Sequence, residues 1–142
     1  MPNDVQEICL KFVAYQHATV EQARDLEVKI TAKFVEIINA HEKIRPFLRE
    51  YPFPPRRAEV TISFYDKNNC YYVDGGVDLT YQVNNRIYYR AKNPDNLYLF
   101  ISLGDEPYEE ALKIIQNSPI VIHPKPEKPP GFFKSLLNLI KK

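Results

Sequence analysis

The sequence predicts an α+β fold, with a long N-terminal amphipathic helix packed on a four-stranded antiparallel meander and a second short helix after the sheet. Apolar residues between positions 19 and 48 recur at steps of three or four, as on one stripe of a helix. From position 59 to 103 the period changes to two, and short turn-forming segments separate the alternating runs. Strands joined by such short loops pair antiparallel, because parallel pairing needs a long crossover.

The long helix is expected to begin after Thr19, which forms an S/T-x-x-Q capping box with Gln22, and to end near Ile44, two residues before Pro46. Glu27 and the other charged residues are assigned mostly to its polar side. A shorter helix is expected before it, over residues 4–16. The apolar stripe of the long helix comprises Ala23, Leu26, Ile30, Phe34, Ile37, His41, Ile44 and Leu48.

Four strands follow in the prediction, over about 59–65, 70–83, 86–91 and 97–103. Between the long helix and the first strand, Pro46 is suited to start a short extra turn through Glu50. A helix is expected to start near Pro107 and to stop before Pro119, and residues 120–122 are suited to a short edge strand. The predicted core comprises Leu26, Ile30, Phe34, Ile37, Val60, Ile62, Leu79, Tyr81, Leu99 and Ile101.

Composition and charge divide the 142 residues into three parts: a single domain over 1–122, a proline-rich linker over 123–131 and a basic amphipathic tail over 132–142. The net charge is +1. Because the five lysines and one glutamate after position 123 contribute +4, the first 123 residues carry −3. A mildly acidic body argues against a dedicated nucleic-acid-binding protein, which is usually basic over one face.

Few residues suggest cofactor, metal or catalytic chemistry. The chain has no phosphate-binding or dinucleotide-binding glycine motif, no nucleophile elbow and no zinc-protease motif, and we expect neither a cofactor nor a metal site. Asp74 and Asp78 flank a glycine pair, but their spacing does not match a calcium loop. Cys9 and Cys70 leave two alternatives open, a single disulfide bridge or two free thiols.

The side of the predicted sheet that faces away from the long helix is rich in aromatic residues and arginine, the composition that protein interfaces favour. Alternation assigns Thr61, Ser63, Thr80 and Gln82 to this side as well. Burial under the tail and cross-strand pairing are the alternatives to a role in binding. The predicted binding residues are Tyr65, Arg86, Tyr88, Arg90, Tyr98 and Phe100.

The tail is a second candidate for binding, because an eleven-residue amphipathic segment on a proline tether is too short to be a stable helix alone in water. Its lysines suit an anionic membrane surface, and its apolar side equally suits a groove on a protein. The residues expected to dock are Phe132, Phe133, Leu136, Leu137 and Ile140.

These observations predict a non-enzymatic binding or adaptor protein whose partner is another protein or a second copy of the chain. A membrane surface, bound through the tail, is a further candidate partner. The alternative is a small enzyme or ligand-binding protein with a pocket between helix and sheet near His41, where a carboxylate would have to orient the imidazole. A helix lying across a four-stranded meander is similar to cystatin-like architecture, a likeness that implies no activity. The N-terminal residues lack the pattern of a signal peptide, and localisation stays open because a chain whose export signal had been removed would look the same.

Overall fold

The computed structural model describes residues 4–117 and shows an α+β protein in which one long and one shorter helix accompany a five-stranded mixed sheet. Two 3-10 turns, Arg45–Phe47 and Pro55–Arg57, lie between the long helix and the second strand. The elements are β1 (Ile8–Ala14), α1 (Val20–Ala40), β2 (Ala58–Phe64), β3 (Leu79–Val83), β4 (Arg86–Asn93), β5 (Asn96–Pro107) and α2 (Tyr108–Asn117).

The sheet has the strand order β1-β2-β3-β4-β5. Strands β2 to β5 pair antiparallel with their sequence neighbours, as the meander prediction requires. Strand β1 pairs parallel with β2, from Ile8 opposite Ala58 to Ala14 opposite Phe64, and α1 forms the crossover between them. A long crossover is what a parallel pair needs.

The predicted helix over residues 4–16 and the helix-first order are therefore wrong. Ile8, Leu10, Phe12 and Ala14 share one side of a strand, and alternate burial along β1 matches that period of two. The same segment also satisfies helical spacing over a few residues. Hydrogen bonding to β2, which lies 50 positions later in the chain, decides between the two patterns.

Helix α1 begins as predicted. The Gln22 amide donates to Thr19 Oγ1 at 3.1 Å, and the Thr19 amide donates to Gln22 Oε1 at 3.0 Å, so both halves of the capping box are present. The helix ends at Ala40 rather than near Ile44, and His41 caps it by donating a hydrogen bond from its backbone amide to the Ile38 carbonyl. The short turn predicted at Pro46 is present as the 3-10 turn Arg45–Phe47, which ends before Glu50 because Leu48 is extended.

The second predicted strand is shorter than expected, because residues 65–78 form a loop and β3 begins only at Leu79. One isolated bridge within the loop joins Tyr65 to Tyr71. Cys70 lies in this loop, Cys9 lies on β1, and both are free thiols. The disulfide bridge that the sequence left open is therefore not formed.

The core lies between α1 and the sheet, with Ile30, Phe34, Val60 and Ile62 buried as predicted. Leu26 and Ile37 are only partly buried and pack against this core. Helix α1 packs on β2, β3 and β4, and α2 packs on α1, β4 and β5. Both helices therefore cover the same side of the sheet.

Four predicted core residues lie elsewhere. The pairing of Ile62 with Thr80 and of Val60 with Gln82 turns Thr80 and Gln82 toward α1, so Leu79 and Tyr81 face the opposite side. Leu99 and Ile101 are 53% and 41% exposed, because α1 lies over β2 to β4 and leaves the first half of β5 uncovered.

Gln82 is buried with its amide group fully used. Its nitrogen donates to the carbonyls of Pro55 and Ala58 at 2.7 and 2.8 Å, and its oxygen accepts from the Asn85 amide at 3.0 Å. Thr80 donates its hydroxyl to the Tyr88 carbonyl at 2.9 Å. These bonds remove the desolvation penalty of two polar side chains in the core, so their burial has a structural explanation.

Candidate binding surface

The side of the sheet opposite the two helices, here called the outer face, carries polar, aromatic and charged side chains. Strand register and alternating burial assign residues to it. Neither α1 nor α2 lies on this face, and the loop 65–78 reaches it through Tyr71. Its residues include Lys11, Glu59, Thr61, Ser63, Tyr81, Arg86, Tyr88, Arg90, Lys92, Tyr98 and Phe100.

One cluster on the outer face stacks two tyrosines beside an arginine. The rings of Tyr81 and Tyr88, opposite each other on β3 and β4, have centroids 5.0 Å apart and planes 18° apart. The Arg90 guanidinium carbon lies 5.9 Å from both centroids, and its Nε donates to the Tyr81 hydroxyl at 3.1 Å. Stacked rings and a cation–π contact both favour this arrangement.

A second cluster surrounds Lys92. Its Nζ lies 4.2 Å from the Phe100 centroid and 5.1 Å from the Tyr71 centroid, and it donates to the Leu97 carbonyl at 2.7 Å. Tyr71 meets Phe100 edge to face at 5.5 Å and Tyr65 edge to face at 4.7 Å. Burial raises the pKa of the Tyr71 hydroxyl, which lies 3.3 Å from the Ser63 hydroxyl.

Arg90 and Lys92 join the two clusters, because residues two apart on a strand point to the same side. We call the combined surface the aromatic–cation strip. Neither cation is part of an ion pair within residues 4–117, whereas their neighbour Arg86 is paired with Asp105. The strip therefore presents two positive charges beside aromatic rings. Its residues are Tyr65, Tyr71, Tyr81, Tyr88, Arg90, Lys92 and Phe100.

Four of the six predicted binding residues, Tyr65, Tyr88, Arg90 and Phe100, belong to the strip. Arg86 is held by Asp105, and Tyr98 is 94% exposed at the far end of β5, with no ring contact to the strip in the described part of the chain. The prediction missed Tyr71, Tyr81 and Lys92. Continuing the alternation from Arg86, Tyr88 and Arg90 by one step would have found Lys92.

A second polar cluster lies on the helix side of the sheet. Glu27 of α1 is fully buried, and neither of its carboxyl oxygens has a hydrogen-bond partner in the part of the chain that the structure describes. Burial raises its pKa well above the ordinary value. One turn along the helix, the buried Thr31 hydroxyl is also unpaired within residues 4–117.

Arg24, one turn before Glu27, does not neutralise it. The Arg24 Nε donates to Glu106 Oε1 at 2.5 Å, and the Tyr89 hydroxyl donates to the same oxygen at 2.6 Å. Burial and this bond to Glu106 raise the pKa of Tyr89. Burial, with a smaller effect of Glu27, raises the pKa of Tyr108. Glu27 is therefore surrounded by groups that are themselves uncharged or already paired.

His41 has no carboxylate to orient it in the described part of the chain. It is half-buried at the C-terminal end of α1, and its Nδ1 has no partner within residues 4–117. Glu27 lies 14 positions earlier, which is about 21 Å along a helix. A pocket of 210 Å³ opens on the surface elsewhere, and neither His41 nor Glu27 lines it. Its lining residues are Pro54, Pro55, Arg56, Asn85, Tyr108, Glu109 and Leu112.

The two aspartates that flank the glycine pair serve the local structure. Asp74 accepts from the Gly76 amide at 3.1 Å and lies 3.2 Å from His17 Nδ1. Asp78 is buried, accepts from the Lys92 amide at 2.8 Å, and has a pKa raised by burial. Within residues 4–117 no three His, Cys, Asp or Glu side chains are grouped as metal ligands would be.

No protein-family model, curated protein or solved structure matches the chain, so the comparisons support neither the cystatin-like layout nor any activity. No helix within the described range is both long and apolar enough to cross a lipid bilayer. The predicted edge strand at 120–122, the linker and the docking residues of the tail lie outside the described residues.

Proposed function

We propose that this chain is a non-enzymatic binding protein that holds a partner protein on the aromatic–cation strip of its outer face. The observation that carries the proposal is the continuous surface formed by the Tyr81–Tyr88–Arg90 and Lys92–Phe100–Tyr71 clusters on a sheet face that neither α1 nor α2 covers. Tyrosine and arginine are the residues that most often dominate the binding energy of protein interfaces.

The charges of the strip favour a partner with carboxylate groups between apolar side chains. Arg90 and Lys92 have no ion pair within residues 4–117 and already lie against aromatic rings, so an incoming carboxylate would meet two preoriented cations in a partly desolvated site. A protein fits better than a nucleic acid, because the first 123 residues carry a net charge of −3.

Photo-crosslinking in the native host tests the proposal. Tyr98 is 94% exposed beside the strip, so a benzophenone side chain can replace it without disturbing the core. We expect the cross-linker at position 98 to capture a discrete partner that is not a second copy of this chain, and Arg90→Ala with Lys92→Ala to reduce the yield of that product at least tenfold, about 1.4 kcal/mol. The matched controls are the cross-linker at Tyr51, half exposed after the 3-10 turn Arg45–Phe47, and the exposed Lys43→Ala variant.

The controls decide the outcome. A partner captured from positions 98 and 51 alike, or captured equally well by the Arg90→Ala/Lys92→Ala variant, would contradict a role for the strip. Loss of capture in the double variant but not in Lys43→Ala would support it, provided that the free energy of unfolding of both variants is unchanged.

Ligand binding near His41 is a second candidate, supported by one observation, the partly buried imidazole whose Nδ1 is unpaired within residues 4–117. A bound ligand with a hydrogen-bond donor or acceptor would supply the partner that His41 Nδ1 lacks. A fragment screen monitored through the His41 ring signals in NMR tests this candidate. Hits that shift those signals and disappear in His41→Phe would support it, and a screen that never shifts them would exclude it.

A further inference from the structure

The strand at one edge of the sheet differs from the strand at the other in its protection against pairing. Both β1 and β5 have a single strand neighbour within residues 4–117. Strand β1 carries Lys11 at its centre, and an edge lysine is a common way to prevent a second chain from adding to a sheet. Strand β5 has 12 residues, and its first nine, Asn96 to Gly104, contain no charged residue and no proline. Its ladder with β4 shifts register at Lys92/Asn93 and again at Tyr89/Arg90, so residues 97–99 and Leu103 have no partner on β4.

Apolar side chains along the first half of β5 are exposed. Leu97, Leu99 and Ile101 are 57%, 53% and 41% exposed. Ile101 lies opposite the buried Ala91 on the helix side, and alternation back along β5 assigns Leu99 and Leu97 to that side and Tyr98 to the outer face with the half-buried Phe100. A long, uncharged and apolar edge strand is a template for pairing with another strand.

The order of apolar and aromatic side chains along β5 matches that of a second, antiparallel copy of the same strand. If two copies pair antiparallel with Leu99 on a two-fold axis, Leu97 faces Ile101 of the second copy, and Tyr98 faces its Phe100. Apolar residues then meet on the helix side and aromatic residues on the outer face, and both kinds of cross-strand pair stabilise sheets. Asp95 lies opposite Leu103, so this register places no like charges opposite each other.

We infer that β5 is the interface of a two-fold symmetric dimer, in which it pairs antiparallel with β5 of a second copy and joins two five-stranded sheets into one of ten strands. Such an interface uses the same surface of both copies, as closed two-fold dimers require. The local bond from the Tyr98 amide to Asn96 Oδ1 would be exchanged for strand pairing where the two compete. This inference does not depend on a partner binding to the aromatic–cation strip.

Sedimentation of the full chain over a concentration range tests the dimer. We expect a reversible dimer for the wild type and at least a tenfold higher dimer dissociation constant for Leu99→Lys, which places two lysines against each other on the axis. Val13→Lys is the matched control, since Val13 is 40% exposed on the opposite edge strand, and it should leave the dimer unchanged. Because Leu99 points away from the strip, Leu99→Lys should still bind a strip partner.

Cysteine cross-linking tests the register in a Cys9→Ser/Cys70→Ser background. Residues paired on a two-fold axis have α-carbons about 4.5–5.5 Å apart, within reach of a disulfide. Leu99→Cys should therefore form a covalent dimer on mild oxidation, whereas two Ile101→Cys residues would be separated by about 13 Å and should not.

Three results would overturn the inference. The first is a wild-type chain that is monomeric at every concentration, as it would be if its own C-terminal residues occupied the β5 edge. The second is a dimer that Leu99→Lys leaves intact. The third is a dimer in which Leu99→Cys fails to cross-link.

Discussion

Glu27 is the residue whose environment is least compatible with an ordinary charge. An isolated carboxylate is expensive to remove from water, and a buried glutamate without a cation therefore holds its proton. The basic residue one turn before it on the helix, Arg24, is committed to Glu106, and Lys29 pairs with Asp25. Burial raises the Glu27 pKa well above its usual range, so folding and the ionisation of this group oppose each other.

Glu27→Gln should remove a pH-dependent loss of stability. Because the folded chain keeps the Glu27 proton to a higher pH than the unfolded chain, unfolding releases a proton above the ordinary glutamate pKa. The free energy of unfolding then falls as pH rises, by about 1.4 kcal/mol per pH unit, until the raised pKa is passed. We expect the stability of Glu27→Gln relative to wild type to increase with pH over this window.

Urea unfolding at several pH values from 4 to 9 measures this difference. The matched control is Glu21→Gln, an exposed glutamate in the first turn of the same helix, whose effect should not follow this trend with pH. A stability difference between Glu27→Gln and wild type that stays constant from pH 4 to 9 would show that Glu27 ionises normally in the folded chain.

At the scale of single elements, α1 owes its defined start to Thr19. Thr19→Ala removes the acceptor for the Gln22 amide and should lower the free energy of unfolding by about 0.5–2 kcal/mol. Gln22→Ala removes only the reciprocal bond to the Thr19 amide and should cost less. Chemical denaturation of both variants measures which one loses more free energy of unfolding. A larger loss for Gln22→Ala than for Thr19→Ala would contradict the assigned roles.

Features that depend on neighbours in sequence were predictable. The capping box, the turn at Pro46 and the antiparallel order of β2 to β5 follow from residues only a few positions apart. Strand β1 was not predictable, because Ile8–Ala14 also satisfies helical spacing and the strand that it pairs with lies 50 positions later. Local patterns carry no information about such a distant strand.

The candidate surface was predictable in part. Alternation correctly assigned Tyr88, Arg90 and Phe100 to one face, but placing Tyr81 in the core reversed β3, since a shift of one residue exchanges the two sides of a strand. The burial of Glu27 was visible in principle. Ala23, Glu27, Ile30, Phe34 and Ile38 follow each other at steps of three or four, so this glutamate belongs to the buried stripe.

For the whole molecule, the distribution of charge separates the body from the tail. The first 123 residues carry −3 and the remainder +4, and we predict that the tail adds attraction for anionic lipid of about 1 kcal/mol per lysine near the surface. Flotation with anionic and neutral liposomes should show binding that needs anionic lipid and is lost on deleting residues 131–142. Binding that survives the deletion, or no binding to either liposome, would contradict this role.

The parallel pairing of β1 also has a consequence for synthesis of the chain. A ribosome completes Ala14 about 3–10 s before it completes Phe64, at 5–20 residues per second, so the first strand emerges long before β2, its strand partner within residues 4–117. During that interval Leu10 and Ala14, both buried in the finished protein, have no strand to join. The N-terminal segment of the nascent chain is therefore a natural client for chaperones that shield apolar segments, until residues 58–64 emerge.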